Sequence, residues 1–154
     1  MGAAVWVRMA RCYGLILRKV RAILADSDLT LPQFDALAQL LRYKDGMTAG
    51  DLSRELLVTA GNVTGIINRL QMRGLITQQH KQGDRRVKIL KLTERGRAMA
   101  QREVEKLESG LEEIFAPLGL SEKVALQELL NALRDTLKGE DSHDAVRKKL
   151  SLQA

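Results

Sequence analysis

A single cysteine, Cys12, two prolines, Pro32 and Pro117, and only one Trp, two Tyr and two Phe occur among 154 residues. One cysteine excludes an intrachain disulfide and any cysteine-built zinc site, and it points to a reducing, cytoplasmic setting. The scarcity of aromatics leaves Leu, Ile, Val, Met and Ala to fill the core, a usage that suits helices better than a β-sandwich. So few prolines leave long helices uninterrupted elsewhere. No run reaches about 18 uncharged apolar residues, so no membrane-spanning helix and no membrane partner is expected. The opening MGAAVWVRMARCYGLILRKVRAIL is broken by Arg8, Arg11 and Arg18. It lacks a small-residue cleavage site and is not expected to be a signal peptide. Trp6 stands where a myristoylation signal wants Ser or Thr.

Catalytic and metal-binding patterns are equally thin. His80 and His143 are the two histidines, and neither makes a nucleophile–base set with Cys12 or a serine. The DSHD stretch around His143 reads as a solvated tail rather than a metal cluster. No P-loop is present, and no GxGxxG follows a strand. No enzyme activity, metal or cofactor is expected.

The chain does have basic charge, and it is unevenly placed. The net charge is +6. Residues 1–46 hold seven Lys and Arg against four Asp and Glu, residues 47–100 ten against four, and residues 101–154 eight against eleven. A central third as basic as the whole chain points to a polyanionic partner.

Apolar spacing predicts an amphipathic helix over Ala3–Ala25. A second helix starts at Thr30 with Pro32 in its first turn, runs to about Tyr43, and ends at Gly46. Thr48 caps a short helix with Leu52, Leu56 and Leu57 on its apolar face. Thr59 caps another, which Gly74 stops. In that helix Val63, Ile66, Ile67 and Leu70 form the inner stripe, and Thr59, Asn62, Thr64, Gly65, Asn68, Arg69 and Arg73 lie outside it. LITQQHKQGDRRVKILKLT reads as two extended runs around a turn at Gln82–Gly83–Asp84. Thr93 caps a long helix from about Glu94 to Phe115. Ser121 is expected to cap a last helix to about Leu137, followed by a polar tail that frays. Two helices joined by a tight turn, then a hairpin, describe a winged helix-turn-helix.

Such a unit suits a duplex. A helix fits a major groove when its inner face docks on the scaffold and short polar groups face out. Thr59, Asn62 and Thr64 are candidates for base edges or phosphates, and Arg69 and Arg73 for the backbone. A hairpin tip projects an arginine into a narrow minor groove, whose negative potential attracts it. Arg86 is the candidate for insertion, Arg85 and Lys88 for phosphates, and Asp84 for fixing the tip.

The stretch LSRELLVTAGNVTGIINRLQMRGLITQQHKQGDRRVKILKLTERGR resembles the core of the MarR family of winged-helix transcriptional regulators. The most specific parts are Asp84-Arg85-Arg86 followed by LKLTERGR, and GNVTGIINRL followed by RGLI. LTLPQFDAL resembles the family's second helix. The resemblance implies a mainly α fold with a small β-hairpin wing. Its expected parts are an N-terminal dimerisation helix (1–28), a DNA-binding core (29–100), C-terminal dimerisation helices (101–140) and a polar tail (141–154). It further implies a homodimer on a pseudo-palindromic double-stranded DNA operator, with reading helices roughly 34 Å apart. A repressor released by a small-molecule effector, often anionic or aromatic, is the implied role, with Arg11, Tyr13 and Phe34 as pocket candidates. Two departures stand out. Gly65 occupies a position where many relatives carry a larger residue, often arginine. Cys12 lies nearer Pro32 than in the relatives that sense peroxides through a first-helix cysteine. A redox-responsive regulator acting through Cys12 is one alternative, and a helical interaction module without DNA binding is another.

Overall fold

Threonines open four of the helices, as their spacing predicts. The computed structural model describes residues 1–56, 59–81 and 83–151, with side chains for these apart from Ala60, Arg85 and 138–151. Leu57 and Gln82 lie outside the described residues, as do the side chains of Asp141 to Leu150 in the tail. The elements in chain order are α1 (Gly2–Ile23), α2 (Leu31–Arg42), α3 (Ala49–Glu55), α4 (Ala60–Met72), β1 (Ile76–Lys81), β2 (Asp84–Leu92), α5 (Glu94–Phe115) and α6 (Leu120–Ser151).

The caps are local chemistry. The Thr30 N–H donates to Gln33 Oε1 at 3.0 Å, ahead of α2. Thr48 and Asp51 exchange bonds at the start of α3: the Asp51 N–H donates to Thr48 Oγ1 (3.1 Å), and the Thr48 hydroxyl donates to Asp51 Oδ2 (2.6 Å). These bonds hold the Asp51 carboxyl below its ordinary pKa. Thr93 Oγ1 accepts the Gly96 N–H at 3.0 Å and starts α5. α4 stops at Gly74, whose φ of 66° is left-handed; the Leu75 N–H then returns to the Leu70 carbonyl at 3.0 Å.

The chain divides into two units, residues 1–112 and 113–154. In the first, α2 lies among α3, α4 and β2. Leu37, Leu40, Leu52, Val63, Leu70, Leu75 and Leu90 are fully buried there. β1 and β2 pair antiparallel with Ile76 opposite Leu92 and His80 opposite Lys88, and the register shifts between His80 and Lys81. Met47 bridges Leu90, placing a short third segment beside the hairpin. α5 approaches the end of α4 so closely that a Cβ on Gly96 would stand 1.8 Å from the Leu75 carbonyl oxygen. Only the C-terminal end of α1 joins this core, through Val20 and the buried Leu24 that follows the helix. Ile16 and Leu17 are half-buried, and the apolar side ahead of them is bare: Val5 and Met9 are exposed, Trp6 at 68% and Tyr13 at 67%, and Val7 and Leu15 are exposed elsewhere around the helix.

In the second unit the last helix differs from expectation at both ends. Gly119, not Ser121, precedes it; the Glu122 carboxylate accepts the Gly119 N–H at 2.8 Å, and the Lys123 N–H bonds the Gly119 carbonyl. A carboxylate three residues on satisfies that donor, so Ser121 falls inside the first turn. The backbone also stays helical to Ser151, where the sequence suggested a break near Leu137. Leu120, Val124, Leu126, Leu129, Leu130, Leu133 and Leu137 are all exposed along α6.

Candidate nucleic-acid interface

α4 buries Val63, Ile66, Ile67 and Leu70, and this sets what it presents outward. At 100° per residue the line opposite the buried stripe runs through Gly61, Gly65, Asn68 and Met72. Asn62 and Arg69 flank this line on one side and Thr64 on the other; all three are exposed. The outermost line is therefore bare over its first two turns. Nothing lies within 4 Å of where a Cβ would stand on Gly61 or Gly65. Asn68 and Met72, the latter 88% exposed, were not among the expected contacts. Their signal is the i, i+4, i+7, i+11 spacing from Gly61, which is legible once the glycines are read as part of the face.

Thr59 serves first as a cap. Its Oγ1 accepts the Asn62 N–H at 3.5 Å, a long bond that leaves the hydroxyl proton for another acceptor. Arg73 is turned inward along the protein surface: its guanidinium donates to the Asp28 carbonyl, 45 residues away in the chain. Of its five donors, others remain for a phosphate.

At the wing, Asp84 Oδ1 accepts the Arg86 backbone N–H at 3.0 Å and Arg86 Nε at 3.3 Å. The Arg86 side chain is nonetheless 93% exposed. An ion pair in that setting contributes little to stability, about 1 kcal/mol at most, so it orients the guanidinium without fixing it. Lys88 is exposed opposite His80. The Arg85 side chain lies outside those described.

The remaining candidates do not share one place. Phe34 is 4% exposed and belongs to the core, whereas Arg11, Cys12 and Tyr13 are exposed on α1. A cleft of about 240 Å³ beside α3 is lined by Tyr43, Gly46, Met47, Asp51, Arg54 and Glu55, and includes none of them. Among the described residues no group of three His, Cys, Asp or Glu could hold a metal ion. Among the same residues no helix is long and apolar enough to cross a membrane. One buried charge escaped sequence reasoning. Glu103 on α5 is 2% exposed. Its Oε1 accepts Arg102 Nε (2.9 Å) and Nη2 (2.7 Å), and its Oε2 has no partner.

A model of the MarR family matches residues 27–87. An HTH-type transcriptional regulator of Bacillus cereus is 30% identical over 102 residues, covering 66% of this chain and 67% of that protein. BpsR of Bordetella bronchiseptica, solved to explain regulation of its DNA binding by 6-hydroxynicotinic acid, superposes with a TM-score of 0.76 at 30% identity, covering 85% of this chain and 93% of that one. This chain belongs to the MarR family. The MarR-family chain is a DNA-binding transcriptional regulator, and its helices and hairpin are that family's winged-helix fold. It is also similar to a MarR family protein of Mycobacterium tuberculosis solved in complex with salicylic acid. That match has a TM-score of 0.66 at 25% identity and covers 81% of this chain and 92% of that one. In this MarR-family chain, α3 and α4 form the helix-turn-helix and β1–β2 the wing.

Proposed function

We propose that the protein is a homodimeric repressor that lays α4 in the major groove and inserts Arg86 into the neighbouring minor groove. The observation that carries this reading is the outward face of α4. Asn62, Thr64 and Arg69 are exposed beside a line that opens with Gly61 and Gly65 and continues through Asn68, the composition a close-approaching reader needs. Thr59, Arg73, Arg85 and Lys88 supply further phosphate contacts, and Asp84 orients the wing. Asn62→Ala relaxes sequence preference; an equal loss on every duplex would make Asn62 a phosphate contact instead.

A second copy covers the bare apolar residues of α1 and those of α6. So much exposed Leu, Val and Trp is what an interface between copies requires. Light scattering after size exclusion tests this: a dimer is expected, and a stable monomer contradicts it. The twofold dimer reads a pseudo-palindrome with half-sites one helical turn apart.

The proposed effector is a small hydroxylated aromatic acid, the class shared by the compounds in the BpsR and Mycobacterium tuberculosis work. α1 carries Arg8, Arg11, Arg18, Lys19 and Arg21 with no acidic residue, so a carboxylate meets a favourable field there, and Arg11 and Tyr13 are the proposed contacts. The protein acts in the cytoplasm. Selection of bound duplexes from a random pool, followed by release with such acids, tests the whole reading. Binding without sequence preference would refute it.

A further inference from the structure

The C-terminal end of α4 is held at two separate places. The first is the start of α5. The Thr93 hydroxyl donates to the Gly74 carbonyl at 2.8 Å, the Thr93 N–H donates to the Leu75 carbonyl at 3.1 Å, and Gly96 packs against that same carbonyl. The second runs through the turn between α1 and α2. Arg73, the residue that ends α4, donates to the Asp28 carbonyl. Two residues earlier in that turn, Asp26 pairs with Lys106 of α5. The lysine ammonium holds the Asp26 carboxyl below its ordinary pKa. The Ser27 hydroxyl, between them, donates to the Leu24 carbonyl at 2.8 Å and keeps the turn closed.

Gly96 and Lys106 are about 15 Å apart along α5 at 1.5 Å per residue. The anchors on α4 itself, Arg73 and Gly74, are chain neighbours, but they tie its end to two points that far apart on α5, one directly and one through the turn at Asp26–Asp28, so the end of α4 is held from two directions. α4 is about 20 Å long, so a rotation of about 5° at Gly74 would move its first turn by about 1.7 Å, enough to break a hydrogen bond to a base.

We infer that Asp26, Lys106 and Arg73 are positioning residues for DNA binding, a brace that sets the angle at which α4 meets the duplex. The inference rests on α4 being the reading element. Asp26 and Lys106 touch no DNA in this scheme. Their pair is solvent-accessible and adds little to the stability of the fold. Its effect is on sequence discrimination.

The test is a charge swap in the full chain. Asp26→Lys sets a third cation beside Lys106 and Arg102, Lys106→Asp sets two carboxylates together, and the double variant restores the pair with reversed polarity. The probes are the duplex that the wild type selects from a random pool and a random duplex of equal length. The readout is the ratio of the two affinities, which cancels the long-range effect of the altered net charge. Each single variant is expected to lower that ratio about two- to fivefold, and the double variant to restore it. An unchanged ratio in the single variants overturns the brace while leaving α4 as reader, as does a ratio that the double variant fails to restore. A wild type that selects no sequence overturns both. If a reversal does not fold, Asp26→Asn and Lys106→Gln replace it: each is expected to lower the ratio and the double variant to lower it no further than either alone, and additive losses overturn the brace.

Discussion

Replacing Gly65 with alanine should make the protein more stable and a poorer reader at once. Gly65 sits in the interior of the 13-residue α4, and a methyl group there meets no atom within 4 Å. Glycine in a helix interior costs about 1 kcal/mol relative to alanine, chiefly through the freedom it has in the unfolded chain. No steric term offsets the gain, so Gly65→Ala is expected to raise unfolding free energy by about 1 kcal/mol, or melting temperature by roughly 2–4 °C for a chain of this size. Urea titrations at fixed protein concentration measure it, with an unchanged slope showing that stability rather than compactness moved. The methyl group also stands on the outermost line of α4, between Gly61 and Asn68. Affinity for a selected duplex is therefore expected to fall while stability rises. A loss of stability would show that Gly65 does not face open space. A rise in both quantities would show that the bare line is not where DNA approaches.

Gly96→Ala is expected to act in the opposite direction, because its methyl would overlap the Leu75 carbonyl; a loss of roughly 1–3 kcal/mol by urea unfolding is expected, and a neutral result would contradict the close contact of α5 with the end of α4. Asp35, half-buried on α2, has its carboxyl pushed above the ordinary range by burial. A raised folded-state pKa means that the folded protein binds the proton more tightly than the unfolded chain, so this group destabilises above that pKa and the cost vanishes as pH falls through it. Asp35→Asn is expected to be the more stable form at neutral pH, its advantage shrinking on acidification; urea midpoints against pH decide, and a constant difference would refute it. Arg102→Ala leaves the buried Glu103 carboxylate without its partner. Because Arg102 is itself well exposed, the expected cost is about 1–2 kcal/mol, and an unchanged midpoint would mean that solvent reaches Glu103.

The reading unit was legible because its signals are local. Val63, Ile66, Ile67 and Leu70 mark the inner stripe of α4, while Thr59 and Gly74 mark its ends. The β-branched and aliphatic run around Val87 and Ile89 marks the wing. The apolar spacing of α1 was legible too, and with the leucine stripes near the other end of the chain it pointed to cover by a second copy; the exposure of Trp6 and Tyr13 in the single chain fits that expectation, although periodicity does not say which residues of the copy meet them. Ser121 looked like a cap because any serine ahead of a leucine stripe does; the deciding partner was the Glu122 carboxylate. Glu103 does not read as buried because charge usually marks an exposed position, although it follows Ala100 at i+3 and Met99 at i+4 on the packed face. The bonds from Arg73 to Asp28 and from Lys106 to Asp26 join residues 45 and 80 positions apart, and no pattern within one segment announces them.

Dimethyl sulfate footprinting on a selected duplex reports both grooves in one lane, because it methylates guanine N7 in the major groove and adenine N3 in the minor groove. The account predicts two blocks of guanine N7 protection about 10 base pairs apart, flanked by adenine N3 protection. In Arg86→Ala the adenine signals alone should disappear, with specific affinity about 1–3 kcal/mol weaker. Protection confined to one groove, or guanine signals lost while adenine signals persist in Arg86→Ala, would contradict the placement of α4 and the wing on neighbouring grooves.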